Sequence, residues 1–343
     1  MAHLTIHDIA LRAGVSIGTV SKALNNYKGV NEATRQRILT IAAENGFRAN
    51  SLARGLATKQ SRVIGVFFND SINSGFLHHY FQRVLQGFKV AVGTAGYDLL
   101  FFTNAGFTED RVTNDYLDRA RHRSVDGVVL MGMDRFDVGA REIACSGMPC
   151  MSIDMDVTGP RAGYVQSTNV EGARAVVDHL VGLGHRDIAL IGDRYQSKPG
   201  MDRRLGYEIG MREHGLTTPP HWFCAGDFTR ASGHEAMTAL LREGPLPTAV
   251  FAVGDDLALG AMDAALERGL RIPEDLSVAG FDDIEVAASC SPALTTVRQE
   301  MELIGERAGS ALIRLVEDEG YPPPVINVET TLVVRESSGT SCK

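Results

Sequence analysis

The stretch TIHDIALRAGVSIGTVSKALN, residues 5–25, decides how the N-terminal part of the chain folds. Thr5 stands three residues before Asp8, a variant of the pairing in which a hydroxyl and a carboxylate cap each other's backbone groups at a helix start. Ile6, Ile9, Ala10 and Ala13 then fall on one helical face. Gly14 supplies a turn, because it takes positive φ without a Cβ clash. Val15 plugs that turn, and Ser16 caps a second helix whose Val20, Ala23 and Leu24 face inward. Asn31 caps a third helix, with Ile38, Leu39, Ile41 and Ala42 inward and Gly46 at its end. Two short helices joined by a glycine turn and braced by a third predict an all-α helix-turn-helix head over residues 1–48.

Geometry alone leaves a plain helical bundle as the alternative, and charge argues against it. Residues 1–62 hold nine Lys and Arg (Arg12, Lys22, Lys28, Arg35, Arg37, Arg48, Arg54, Lys59, Arg62) against three acids (Asp8, Glu32, Glu44), a balance of +6. The whole chain carries −8, so residues 63–343 hold −14. A basic head on an acidic body fits contact with a polyanion and confines that contact to the head. Between head and body, NSLARGLA (50–57) reads as a short apolar and basic helix inside a linker over 49–62. So short a helix is marginal by itself.

The body alternates strand and helix. Strand-like runs are VIGVFF (63–68), YDLLFFT (97–103), DGVVLM (126–131), CMSI (150–153), DIALI (187–191), TAVFAV (248–253) and LSVAG (276–280). Amphipathic helical stretches lie at 76–95, 171–184, 203–215, 256–269 and 299–318. The alternation predicts parallel sheets covered by helices, in two blocks, with one helix and two strands added at the end. No apolar run reaches the length of a membrane span. The N-terminus lacks an apolar signal core, and the five cysteines show no C-x-x-C spacing, so the thiols are expected reduced and the chain cytoplasmic. The tail SSGTSCK, 337–343, is expected to be disordered. His78 and His79 are adjacent, so on a helix they point apart and make a poor metal pair; no metal or cofactor is expected.

The motifs T-I-H-D-I-A, A-G-V-S, T-V-S-K, L-N and N-S-L-A-R-G-L-A closely resemble the lac repressor (LacI/GalR) family of bacterial regulators. The resemblance continues through L-G-H-R-D-I-A-L-I-G (183–192), D-L-A-L-G-A-M (256–262), I-P-E-D-L-S-V-A-G-F-D-D (272–283) and P-A-L-T-T-V-R-Q (292–299). It implies a periplasmic-binding-protein-like α/β body of two doubly wound subdomains with a cleft between them, the chain crossing three times. The expected subdomains are 63–162 with 298–327, and 163–297 with 328–336.

The resemblance also implies roles. Ser16, Thr19 and Ser21 would lie near phosphates, and Ile17, Gly18 and Lys22 would face base edges. Thr5, Asn25, Asn50 and Ala53 complete the DNA-binding set, and Leu56 would be a wedge into the minor groove. Lys22 stands where the family usually has Arg, and Gly18 offers no reading side chain. Leu56 could instead be an ordinary buried linker leucine. Asp154, Arg203 and Asp282 match positions that hydrogen-bond a ligand's hydroxyls, and Phe228 an aromatic that packs on its face. Asn73, Phe76, Asp255 and Met301 are further candidates. Carboxylates, an arginine fork and an aromatic suit a sugar. Each also has a plainer reading: a strand-end Asp is often only a turn cap, and Arg203 could lie on the surface. Gly254 replaces a family Asn, and the 69–81 loop looks long; both differences leave the effector's identity open. The implied protein is a non-enzymatic, effector-controlled DNA-binding repressor. It would be a homodimer on a pseudo-palindromic operator, with a sugar as inducer, or in the alternative a nucleobase or another non-sugar effector, or a co-repressor. A transport binding protein would need an export signal and no head. An enzyme would need a motif such as a phosphate loop, H-E-x-x-H or a glycine-rich dinucleotide turn, none of which the chain has, and its one G-x-S-x-G match, Gly14 to Gly18, falls in the turn between two head helices and not after a strand.

Overall fold

The computed structural model describes residues 5–24, 27–45, 47, 60–68, 78–102, 115–195, 197–242 and 245–341. The chain divides into two compact units, Met1–Arg62 and Val63–Lys343. In the first, α1 (Ile6–Ala13), α2 (Ile17–Leu24) and α3 (Glu32–Glu44) enclose Ile9, Ala10, Ala13, Val20, Ala23, Ile38 and Ala42. Thr5 and Asp8 form the reciprocal cap: the Asp8 amide donates to Thr5 Oγ1 (3.3 Å) and the Thr5 amide to Asp8 Oδ2 (2.8 Å). Gly14 adopts φ 64° and ends α1. Ser16 Oγ accepts from the Thr19 amide at the start of α2 (3.2 Å), and Asn31 Oδ1 from the Ala33 amide at the start of α3 (2.8 Å). Leu39, expected inside, is instead 38% exposed: the buried stripe of α3 runs through Arg35, Ile38 and Ala42 and leaves it outside. Arg35 was not foreseen as a core residue. Its guanidinium donates to the carbonyls of Ala23 (3.0 Å) and Tyr27 (2.8 Å), fastening the end of α2 to α3.

The second unit contains two parallel sheets. The first has six strands in the order β11-β5-β4-β3-β1-β2. These are β1 (Val63–Phe68), β2 (Asp98–Phe102), β3 (Gly127–Met131), β4 (Cys150–Ile153), β5 (Ala162–Ser167) and β11 (Val325–Val328). One face is covered by α4 (His79–Thr94) and α12 (Met301–Glu317), which touch closely: a Cβ at Gly87 would fall 2.0 Å from Glu302 O, and one at Gly305 1.9 Å from Val84 O. The other face buries Phe67, Phe102, Val128, Leu130 and Cys150 with residues of α5 (Tyr116–His122) and α6 (Val138–Cys145).

The second sheet has the order β7-β6-β8-β9, with β6 (Ile188–Asp193), β7 (Phe223–Gly226), β8 (Ala249–Ala252) and β9 (Ser277–Ala279). Around it lie α7 (Asn169–Gly182), α8 (Lys198–Glu213), α9 (Arg230–Leu240), α10 (Asp255–Glu267) and the short α11 (Glu285–Ser289). Strands β10 (Thr296–Gln299) and β12 (Thr330–Val333) form a separate antiparallel pair. The runs read as strands in the sequence all lie in these sheets. Strands β5, β7 and β11 lack a continuous apolar run; β7 and β11 lie at sheet edges, while β5 pairs with both β4 and β11.

The chain passes between the sheets three times, after β5, between β10 and α12, and between β11 and β12. These segments are tied together. Ser167 Oγ donates to Gln299 Oε1 (2.7 Å), the Thr168 amide to Val328 O (2.9 Å) and the Thr330 amide to Thr168 Oγ1 (3.0 Å). Two expected boundaries move. The first crossing follows Ser167, not 162, because β5 continues to pair with β4 and β11. The expected 297/298 boundary cuts through β10, whose pairing with β12 runs to Gln299.

The expected disordered tail is also corrected. Ser337 is fully buried, its hydroxyl donating to Val278 O (2.6 Å) and accepting from the Thr295 amide (2.8 Å). Gly339 O accepts from His185 Nε2 (2.9 Å) and the Ser341 amide donates to Leu183 O (2.9 Å). Small polar residues look like a solvated tail in sequence; here they satisfy backbone groups beside β9 that would otherwise stay unpaired.

Candidate ligand cleft and nucleic-acid interface

On the head, Ser16, Ile17, Gly18 and Lys22 are exposed, Thr19 and Ser21 are partly so, and Thr5 is exposed at the start of α1. Ile17 with Ser21 and Gly18 with Lys22 are four residues apart and form one outward strip on α2, opposite Val20 and Ala23. A Cβ on Gly18 would meet only Ser16 Oγ, at 3.8 Å, so packing does not require glycine there. Asn25, Asn50, Ala53 and Leu56 lie outside the described residues, as do Asn73 and Phe76.

The body holds a cleft lined from both sheets. Asp154, His78, Tyr80, Phe81 and Met133 come from the first side, and Ser197, Pro199, Arg203 and Phe228 from the second, with Asp282 leading into the crossover strands. The sequence placed Asp154, Arg203, Phe228 and Asp282 at such a site, and all four line this one cleft. Asp154, Phe228 and Asp282 sit just past strands, where doubly wound sheets open, and Arg203 lies in the second turn of α8, which begins at Lys198 and not at Arg203.

Asp154 follows β4 with φ 58°, a left-handed conformation that Asp tolerates better than most residues. Its Oδ2 accepts a very short hydrogen bond from the Tyr80 hydroxyl. Its Oδ1 is closed off from solvent and has no partner among the described residues. Burial pushes the Asp154 carboxyl up to about 6, against the pull of Tyr80 and Arg203. The Tyr80 hydroxyl is held well above its ordinary value, by burial first and then by Asp154, so it remains a donor.

Arg203 is buried on α8. It donates to Asn169 Oδ1 (2.9 Å), Val253 O (2.6 Å) and Asp282 Oδ1 (3.2 Å), and its guanidinium stacks 3.9 Å from the Phe281 ring centre. Asp282, with φ 128°, also accepts from Gln299 Nε2 (2.6 Å). Since Gln299 in turn accepts from Ser167, a chain of hydrogen bonds runs from the cleft to two of the crossing segments. A buried ion pair with all its partners filled fixes geometry more than it adds stability.

Phe228 packs beside Gly254, where a Cβ would lie 3.0 Å from the ring's Cδ1. The ring occupies the room that a larger residue at 254 would need. The missing amide and the aromatic wall are therefore one arrangement.

Two candidates lie behind the cleft. Asp255 is fully buried; it accepts from the Ile284 amide (2.9 Å) and pairs with the Thr296 hydroxyl. Burial first, then the charge of Asp282, push its carboxyl up to about 8. Met301 is buried at the start of α12, in the apolar core. Neither is among the cleft-lining residues, because each is turned into the packing between elements. Sequence reading missed His78, Tyr80 and Phe81 as a wall of the cleft. The signal was present: an aromatic run, HHYF, opening the helix that follows the first strand.

No helix among the described residues is long and apolar enough to cross a membrane, and no group of His, Cys, Asp or Glu among them could hold a metal.

The head and the cleft together define a ligand-responsive DNA-binding regulator, and similarity to known proteins gives the family. Residues 5–50 match the family model for bacterial regulatory proteins of the lacI family, and 177–338 that for a periplasmic binding protein-like domain. The chain is 32% identical to the probable HTH-type transcriptional repressor ExuR of Bacillus subtilis, over 97% of its own length and 98% of the relative's. It superposes with a TM-score of 0.83 on the lac repressor dimer bound to operator and the anti-inducer ONPF, at 29% identity, covering 98% of this chain and 100% of that one. It also superposes, with a TM-score of 0.74 and 30% identity over 98% and 100% of the two chains, on the transcriptional regulator CelR in complex with cellobiose. The chain belongs to the LacI family of transcriptional regulators, which is not a family of enzymes.

Proposed function

We propose that this regulator is a homodimeric repressor that binds a pseudo-palindromic operator and is released from it by a sugar held in the cleft. The observation that carries the reading is the cleft itself. Asp154 stands on one side, Arg203 and Phe228 on the other, and Asp282 joins them to the crossover strands through Gln299. Hydroxyl donors and acceptors around an aromatic face suit a sugar ring. CelR, of similar fold, has been solved with cellobiose.

A ligand touching both sides favours one angle between them. It shifts the equilibrium only by its difference in affinity for the two states, typically about 1–3 kcal/mol. In each half-site α2 enters the major groove, with Ser16, Thr19 and Ser21 near phosphates and Lys22 toward base edges. Residues 49–62 transmit the change to the heads, with Asn50 capping and Leu56 wedging a short helix formed on DNA.

The test is a thermal-shift screen of neutral, amino and acid sugars, sugar phosphates and nucleobases, followed by fluorescence anisotropy on operator DNA. A sugar that stabilises the protein and lowers operator affinity supports the reading. Stabilisation by a nucleobase alone, or tighter operator binding with ligand, refutes the sugar-inducer form.

A further inference from the structure

We propose that α2 reads each operator half-site through one guanine, bonded by Lys22, and one thymine, whose methyl packs on Ile17, and leaves the base pair facing Gly18 unread. The inference rests on the reading of the head as an operator-binding element and specifies the chemistry of the operator.

The second helix of a helix-turn-helix is the one whose first residues meet base edges in the major groove. On α2 that face is poor in readers. Val20 and Ala23 are buried beneath it. Ser16 and Thr19 are committed to the helix start: their hydroxyls lie 2.9 Å apart, and Ser16 Oγ accepts from the Thr19 amide. Ser21 is half-buried, and the exposed residues are Ile17, Gly18 and Lys22. The helix IGTVSKAL contains no Asn, Gln, Asp, Glu or Arg. The amides that pair with adenine and the carboxylates that accept from cytosine are therefore missing from it. Lys22 can donate to guanine N7 and O6, and Ile17, 40% exposed, can gain only from a thymine methyl.

Gly18 is a gap in this strip. A Cβ there would meet only Ser16 Oγ, at 3.8 Å, and its φ is not positive, so neither packing nor backbone calls for glycine. Glycine also weakens a helix, and α2 has only eight residues. What the residue does is present bare backbone one turn from Lys22. One turn advances about 6 Å along the axis and a base pair about 3.4 Å, so the gap falls within about two base pairs of the guanine.

The test is selection by the full-length protein from a library of duplexes with a random 24-base-pair core, then anisotropy on the enriched duplex. The wild-type half-site should fix a guanine and a thymine and use all four bases equally at a position within about two base pairs of the guanine. Lys22→Ala should lose the guanine preference. Gly18→Gln, or Gly18→Asn with a shorter reach, should keep the guanine and thymine and bring an adenine preference of about tenfold to the formerly neutral position. Deoxyuridine in place of the thymine removes only the methyl; it should weaken wild type about three- to tenfold and Ile17→Ala hardly at all. Gly18→Ala should raise the head's melting temperature by about 2–5 °C and leave the selected sequence unchanged. A guanine preference that survives Lys22→Ala, indifference of wild type to deoxyuridine, or no new adenine preference in either amide variant overturns the inference and leaves the operator reading standing. So does a loss of about tenfold in Gly18→Ala, which would mean that glycine serves close approach of the backbone instead. No enrichment of a pseudo-palindrome by wild type overturns the operator reading and this inference with it.

Discussion

Lys22 is exposed on the outward strip of α2, and a lysine in place of arginine gives a point charge without the bidentate fork. Lys22→Ala should weaken operator binding by about 1–3 kcal/mol while barely changing binding to unrelated DNA. Anisotropy titrations on both duplexes at one salt concentration check this; an equal loss on both would make Lys22 a phosphate contact. Asp154 carries the pH dependence of the cleft. Its folded value, about 6, lies above the ordinary 3.8 because burial outweighs Tyr80 and Arg203, with Asp282 and Asp202 adding to the rise. A ligand that donates to its carboxylate needs the ionised form. Affinity should therefore be nearly constant above about pH 7 and fall about tenfold for each pH unit well below 6. Calorimetry at pH 5 and 7.5 measures it, and a flat profile would remove Asp154 from the contact. For folding the sign is opposite. An acid whose folded value is raised holds its proton longer in the native state, so stability falls as pH climbs from the unfolded value to the folded one. Asp255, at about 8, puts that fall between about pH 4 and 8. Asp255→Asn should reduce that fall in urea unfolding at pH 5 and 8, leaving the part due to Asp154.

At the scale of elements, α2 is held by its neighbours more than by its own eight residues, since so short a helix is marginal alone. Arg35 supplies much of that hold through the Ala23 and Tyr27 carbonyls. Arg35→Met keeps the apolar stem but leaves two carbonyls without these donors. It should cost the head about 2–4 kcal/mol and lower specific and nonspecific DNA binding together. A calorimetric scan resolving the head's transition, set beside the DNA titrations, separates this from the selective loss expected of Lys22→Ala. The C-terminal segment is a comparable case in the body. Ending the chain after Glu336 removes the buried Ser337 hydroxyl and the partner of His185 Nε2. The body should lose several kcal/mol, about 1–3 for each buried group left unpaired. A truncation that melted with the full chain would show that these bonds contribute nothing.

At the scale of the whole molecule, a basic head of +6 faces DNA while the body carries −14. Operator affinity should therefore fall steeply with salt, and the isolated body should not bind DNA. The proposed dimer is checked by sedimentation at micromolar concentration: a monomer that kept full operator affinity would contradict it.

The sequence alone determined what local chemistry determines. Caps at Thr5, Ser16 and Asn31, the turn at Gly14 and the period of the apolar residues specify the three head helices. Each of these signals acts within a few residues. Continuous apolar runs specify the central strands for the same reason, and the charge split is visible by counting. Four of the cleft residues, Asp154, Arg203, Phe228 and Asp282, were legible through the family resemblance; three of them follow strands, and Arg203 lies in the second turn of α8. Tertiary structure decided the rest. Whether Asp255 lines the cleft or lies behind it depends on Thr296 and Ile284, which approach from elsewhere in the fold. Whether SSGTS is a loose tail or packs beside β9 depends on Val278 and Thr295, some forty to sixty residues away. Arg35 became a core residue because two carbonyls of a neighbouring helix end needed donors. The unpartnered buried atoms Asp154 Oδ1 and His78 Nδ1 have no signature in the sequence, since an unpaired atom is defined by what the rest of the fold fails to bring to it.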